Sequence, residues 1–470
     1  MSFFIYDLIF MAIFIIAIFI FFRRNKHKFK RQGWMYLYHS TKGISFMKSF
    51  AKRFEKILKP LQYVVVACGY FLMIGIVWLL GVTLYRYIST PQIVDVVSAP
   101  PILPLVPYVH KVFGLSSFFP PLYFTYFIVT LAIVAIVHEF AHGIFAKLNN
   151  VRIKTTGFAF LGPILGAFVE QDEKDMVKAK KFPQMAILAA GTFANIVFAI
   201  IFGGILALFF MVSFAPAGVN FNSYPTAVID LDSIDSINGV NIESIEEVLE
   251  IIENNEGLIE IGVGNENYFA LGSALQNTID REGVERALVF EDAPAVRAEL
   301  RGAITSIDGE PVTSQEELTS VLGMHSPGDD VIIETKQDGE TVSYNITLGE
   351  DKGNAYLGIG MNYPDGLSGL YFNFIANSKN TGEIYYETTW NGEFAWFVYY
   401  LLWWIVMINV LVALFNMLPL GILDGGRFFY LTVWGITGSE KVGRNAFSLA
   451  TWAIAMVFIL MMVVWLFAFF

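Results

Sequence analysis

The chain has 470 residues, of which 55% are hydrophobic and only 16% charged, with a mean hydropathy of +0.55. A soluble enzyme of this length needs more charged surface, so the balance excludes that class and points to a membrane protein. The single cysteine, Cys68, excludes an intrachain disulfide scaffold, and the formal charge of -11 carries meaning only when divided by region.

The first apolar run, Phe3 to Phe22, is followed rather than preceded by its basic flank, Arg23, Arg24, Lys26, Lys28, Lys30 and Arg31. With no small-residue cleavage site in view, it reads as a retained membrane helix with its N-terminus outside. Further spans are expected at 62–85, 121–146, 184–212, 394–416 and 446–468, each near or beyond the about 20 residues that cross a hydrocarbon core. Between Arg23 and Lys59 stand twelve Lys/Arg and one acidic residue, Glu55, which assigns this loop to the cytoplasm. The third span then runs inward and the fourth outward, delivering about 216–365 to the outer side. The fifth returns, the sixth exits, and both termini are expected outside.

The run from Thr156 to Val169 is apolar but too short to cross. Its Gly162-Pro163 pair signals a turn between β-compatible arms, so it reads either as a hairpin dipping into the membrane or as a buried loop on the helix ends. Residues 221–364 carry 28 Asp/Glu against 6 Lys/Arg and no span-length apolar run, which marks a soluble acidic insert. It holds an internal echo: 236–248 aligns with 306–318 at a constant offset of 70. Each copy reads as a strand, an Asn-Gly or Asp-Gly turn, and a helix capped by Ser244 or Ser314, with Glu247 or Glu317 three residues on. After Pro327-Gly328, the alternating stretches from Val331 and Thr341 predict a β-hairpin. Two related small α/β modules follow from the echo.

The chemistry concentrates at His138-Glu139-Phe140-Ala141-His142. Four residues apart on a helix, His138 and His142 share a face and can offer imidazole nitrogens to one ion, and neutral imidazole suits zinc. Glu139 stands beside them as a base for water. Three polar side chains at the end of an apolar helix are costly without a common partner. Histidines satisfied by hydrogen bonds in a core are the bland alternative. A catalytic zinc site takes three protein ligands, and His27, His39, His110 and His325 lie in loops or in the insert. Asp424, in the stretch Asn416 to Gly426, is the candidate third ligand; otherwise it caps the following helix. Pro419 and Gly421 end the fifth span there, and Gly425-Gly426 permits close backbone approach.

These motifs resemble the site-2 protease family of intramembrane metalloproteases. Its HExxH helix matches His138, Glu139 and His142, and its Asn-x-x-Pro and Leu-Asp-Gly elements match Asn416, Pro419, Leu423, Asp424 and Gly425. Gly191 to Asn195 corresponds to the family's Asn in the helix after the first motif, with Thr192 where proline is common; Gly421 likewise stands where many bacterial members have proline. The resemblance implies zinc bound by His138, His142 and Asp424, Glu139 as general base, and Asn195 and Asn416 contacting substrate backbone or a developing oxyanion. It also implies that 156–169 presents an unfolded substrate segment. The insert resembles PDZ modules, above all through Asp292 to Leu300 running into Gly302 to Gly309, which implies a substrate filter.

The expected fold is therefore a polytopic α-helical membrane protein: about six transmembrane helices, a membrane-associated hairpin and an inserted soluble α/β region of two PDZ-like modules. The expected divisions are 1–120, 121–215, 216–290, 291–365 and 366–470. The first carries two helices and the basic loop, the second and fifth the protease core, and the third and fourth the modules. The expected function is cleavage of transmembrane or signal-like segments in regulated intramembrane proteolysis, with the active site towards the cytoplasm. Its expected partners are the bilayer, a transmembrane protein or peptide substrate and an upstream site-1-type protease, and no nucleic acid. A membrane receptor or scaffold with a structural metal, held by four protein ligands, is the alternative from another class.

Overall fold

The computed structural model describes residues 3–33, 35–89, 100, 105–108, 119–161, 164–242, 245–253, 257–279, 285–337, 339–363 and 366–469. They form two compact units, 1–211 together with 393–470, and 212–392.

The first unit begins with helix α1 (Phe3–Arg24), strands β1 (Phe29–Gln32) and β2 (Met35–Ser40), and helices α2 (Ile44–Arg53) and α3 (Glu55–Ser89). Helix α4 (Phe124–Leu148) follows, then strands β3 (Ile153–Leu161) and β4 (Ile164–Gln171) and helices α5 (Glu173–Lys178) and α6 (Lys181–Ser213). The expected hairpin of 156–169 is present as β3 and β4, while its turn at Gly162-Pro163 falls outside the described residues. It is half of a larger sheet. Strands run antiparallel in the order β1-β2-β3-β4, with Tyr38 opposite Phe158 and Tyr36 opposite Phe160. The sequence around 29–40 reads as part of a basic loop, yet its alternating aromatic residues pair onto β3. Phe22, Phe29, Tyr38 and Phe160 then pack together at the end of α1, with ring centroids 4.3–5.7 Å apart. Asp172 caps α5 through the amides of Lys174 and Asp175. The Arg152 guanidinium beside it, 2.7 Å away, holds its carboxyl below the usual carboxylate range.

Among its described residues the second unit contains two large antiparallel sheets and a two-stranded one, β16 (Gly349–Asp351) with β17 (Asn354–Tyr356). One has the order β6-β11-β10-β9-β7-β8 and is built from β6 (Thr226–Asp230), β7 (Ser236–Ile237), β8 (Val240–Asn241), β9 (Leu258–Val263), β10 (Glu266–Leu271) and β11 (Arg286–Glu291). Helices α7 (Ile245–Glu253) and α8 (Gly272–Ile279) accompany it over a core that includes Ile237, Val248, Ile259, Ile261 and Leu275. A short helix, α9 (Pro294–Arg297), leads to the strands of the second sheet: β12 (Ala303–Ile307), β13 (Glu310–Pro311), β14 (Asp330–Gln337) and β15 (Glu340–Thr347). Strand β5 (Phe214–Val219) precedes the first sheet in the chain but pairs with β12 and with β18 (Ile384–Thr388), giving the order β15-β14-β12-β5-β18. Helix α10 (Gln315–Leu322) covers a separate core of Leu300, Ile304, Ile307, Leu318, Val331 and Ile333.

The echoed turns adopt one geometry. Asn238 and Gly239 have φ of 49° and 76°, and Asp308 and Gly309 have 50° and 84°, the pair of left-handed residues of a type I′ hairpin turn. Ser314 caps α10 by accepting from the Glu317 amide, 3.2 Å, while Glu317 reaches back to the amide and hydroxyl of Thr313, one residue before the cap. Ser244 falls outside the described residues.

The chain returns to the first unit through α12 (Gly392–Asn416), after α11 (Gly366–Ala376), and ends with α13 (Asp424–Thr437) and α14 (Glu440–Phe469). Six described helices are long and apolar enough to cross a membrane: α1, α3, α4, α6, α12 and α14. The central windows of α4 and α12 are each 44% buried within the protein, against 6% for α1 and 11% for α14, so the two motif-bearing helices are the most enclosed. Their core joins Met47, Val65, Phe145, Ile187, Ala413 and Phe428, from α2, α3, α4, α6, α12 and α13. In α1 the one buried residue among those described is Asp7. It accepts from the amides of Phe124 and Thr125, each 2.8 Å, from the Thr125 hydroxyl and from the Tyr108 hydroxyl. A carboxylate on one membrane helix thus caps the N-terminus of another.

Candidate metal centre

Helix α4 brings His138 and His142 onto one face one turn apart, and both are buried, at 7% and 6% exposure. Their Nε2 atoms lie 3.0 Å apart. Asp424 arrives from the other end of the chain. Helix α12 stops at Asn416, the turn through Pro419 and Gly421 reverses direction, and α13 starts at Asp424. A Cβ at Gly425 would stand 2.3 Å from the Met417 carbonyl carbon, so only glycine lets this turn fold back so closely. The helix-cap alternative for Asp424 is not what forms, because Asp424 is the first helical residue and its carboxylate faces the imidazoles. Asp424 Oδ2 is 3.4 Å from His138 Nε2 and 3.2 Å from His142 Nε2. Among the described residues this is the one group of three His, Cys, Asp or Glu side chains whose donor atoms converge, all within 4.8 Å.

The donor set fits zinc. Ligands at about 2.0–2.1 Å around a tetrahedral ion stand about 3.3 Å from one another, close to the three separations here. Two imidazole nitrogens and a carboxylate oxygen brought so near are mutually repulsive as bare acceptors, and a cation relieves that repulsion. The tautomer agrees for His142: Nδ1–H donates to the Ile187 carbonyl, 2.7 Å away, leaving the Nε2 lone pair directed at the cluster.

Glu139 is half-buried next to this group, and its Oε2 accepts from the Val169 amide of β4, 2.9 Å. A cavity of about 340 Å³ opens over the site, lined by Val134, His138, Glu139, Asn416, Leu423 and Asp424. On the other side of Glu139 an apolar cavity of about 450 Å³ is lined by Ile136, Phe140, Phe158, Ala167 and Phe168. The sequence-predicted residues therefore meet: His138, His142 and Asp424 as a triad, with Glu139 and Asn416 on the adjoining cavity. Asn195 is also here but sits behind the triad, fully buried, with its amide 3.2 Å from His138 Nδ1. His39 instead contacts Thr155, and His325 lies 3.9 Å from Asp308; His110 falls outside the described residues. The Val169 amide and the Ile187 carbonyl were invisible to sequence reading, since backbone groups carry no residue signature.

The model of peptidase family M50 matches residues 126–463, a stretch that includes every residue of the triad and Glu139. An uncharacterized protein of Methanocaldococcus jannaschii is 44% identical over 71 residues, 15% of this chain and 19% of that protein. The zinc metalloprotease RasP of Shouchella clausii is 21% identical over 203 residues, 37% of this chain and 48% of RasP. The chain thus spans about a fifth and about half of these relatives' lengths. With the family matched across both halves of the candidate metal centre, and six described helices able to cross a bilayer, the chain is a multi-pass membrane protein that belongs to peptidase family M50, the site-2 protease family.

Proposed function

We propose that the protein is an intramembrane zinc metalloprotease that cleaves transmembrane or signal-like segments. The observation that carries this reading is the convergence of His138, His142 and Asp424 from two distant helices, with Glu139 on the cavity beside them. His138, His142 and Asp424 would hold the ion. When bound there, zinc would supply Lewis acidity towards the scissile carbonyl and a water molecule. Glu139 takes the proton from the attacking water and returns it to the leaving amide nitrogen. Asn416, on the same cavity, hydrogen-bonds the substrate backbone or the oxygen that gains charge. A helical substrate must unwind first, because its amides are committed to i to i−4 bonds, and β4 beside Glu139 offers a place for the extended chain. Three protein donors beside an open cavity favour a catalytic site over the four-ligand structural metal of a receptor or scaffold.

In the same reading, the basic loop 23–59 lies in the cytoplasm, the site opens towards that side, and 212–392 stands outside. The insert acts as a PDZ-like filter on substrates, and the enzyme works in regulated intramembrane proteolysis after an upstream protease. The decisive test is purified Glu139→Gln protein with a membrane-embedded substrate peptide. It should retain stoichiometric zinc and lose cleavage by at least about a hundredfold, the scale of general-base loss. Cleavage at the wild-type rate would refute the mechanism.

A further inference from the structure

Gly191 and Asn195 stand one turn apart on α6, so they present one face. That face meets the imidazoles. A Cβ at Gly191 would lie 2.5 Å from His142 Nε2 and 2.6 Å from His138 Cε1, so the helix approaches the pair only because nothing projects there. Asn195 has no exposed surface; its Nδ2 is 3.2 Å from His138 Nδ1, and its Oδ1 is buried without a hydrogen-bond partner.

Those facts conflict with ligation unless the amide is turned. If Nδ2 donated to His138 Nδ1, the proton of the neutral ring would reside on Nε2, aimed at Asp424 and His142, and no lone pair would remain for an ion. The oxygen and nitrogen of an amide are interchangeable in shape. With Oδ1 towards the ring, the orphaned oxygen gains a donor, Nδ1–H is fixed, and Nε2 is free to ligate. His138 then matches His142, whose Nδ1–H is held by the Ile187 carbonyl.

We propose that Asn195 is a positioning residue for the ligand His138, its amide oxygen accepting from Nδ1–H, with Gly191 providing the space that lets α6 deliver it. The proposal rests on the assignment of His138, His142 and Asp424 as the metal site. It replaces direct substrate contact by Asn195 with an action through the ligand.

The test is metal binding to the full chain in detergent, by zinc competition titration and by the visible absorption of the Co²⁺-loaded protein. Asn195→Leu removes the acceptor at similar size and should weaken zinc about 10–100-fold, the usual cost of losing an outer partner, while altering the Co²⁺ bands. Asn195→Asp keeps an oxygen on Nδ1–H and should bind zinc as tightly as wild type or tighter. Wild-type affinity and spectrum in Asn195→Leu would overturn the proposal, as would an Asn195→Asp loss equal to that of the leucine variant. If Asn195→Leu does not fold, Asn195→Asp decides alone, and a weakening of about tenfold or more overturns it. A wild-type protein that takes up neither metal removes the site assignment itself, and this proposal with it.

Discussion

Asp424 and Glu139 are both carboxylates at the same cavity, but their surroundings divide their tasks. Asp424 is 3.2–3.4 Å from two imidazole nitrogens, which suits its oxygen to the proposed ion. Glu139 is tethered by one backbone amide from β4, which aims it without consuming both oxygens. Asp424→Asn should therefore behave unlike Glu139→Gln. Replacing a charged ligand oxygen by a neutral amide should weaken zinc by about a hundredfold or more, exceeding the 10–100-fold typical of outer partners. Metal content after dialysis against a weak chelator measures this: the Glu139 variant should stay loaded and the Asp424 variant should not. The HExxH spacing is local chemistry, and the sequence carries it openly. Between Asp424 as a third ligand and Asp424 as a helix cap, the carboxylate's direction towards the imidazoles favours the first.

At the scale of elements, Asp7 links α1 to α4, the helix that bears the proposed zinc ligands His138 and His142. It satisfies two backbone amides that the first turn of α4 leaves without intrahelical partners, within a helix otherwise facing outward. Asp7→Ala should cost about 0.5–2 kcal/mol, the range for losing a capping side chain, and should loosen α1 from α4. A lowered unfolding temperature in detergent, with the α1–α4 crosslinking yield reduced, would show it; unchanged values for both would exclude the role. Nothing near Asp7 in sequence announces this cap, because its partners stand more than a hundred residues on. The Asn238-Gly239 and Asp308-Gly309 turns are the opposite case. There the backbone preference is local, and both adopt the geometry their residues demand. Strands β1 and β2 were hidden for a third reason: their strand character comes from pairing with β3, and a short basic segment shows little of it alone.

For the whole molecule, the proposed orientation rests on the charge asymmetry of the loops. Replacing Cys68 with alanine leaves a background for single reporter cysteines. Lys178→Cys, exposed at the end of α5, should react with a membrane-impermeant maleimide only when the cytoplasmic face is accessible. Val228→Cys, 62% exposed on β6, should react in intact cells. The reverse pattern would invert the proposed topology. The insert's two cores also bear on organisation, since β5 leaves the membrane helix, joins the sheet of β12, and is separated from it in sequence by the whole first sheet.

By itself the sequence determined the membrane class, the positions of the spanning helices, the paired imidazoles and the echoed turns. Each arises from composition or from side chains within a few residues of one another. Only the tertiary structure decided that Asp424 closes the triad, that Asn195 stands behind His138, that Asp7 caps α4 and that β5 joins β12. Those contacts join segments far apart in the chain, and it is packing between helices and strands, not local backbone preference, that brings such atoms within bonding distance.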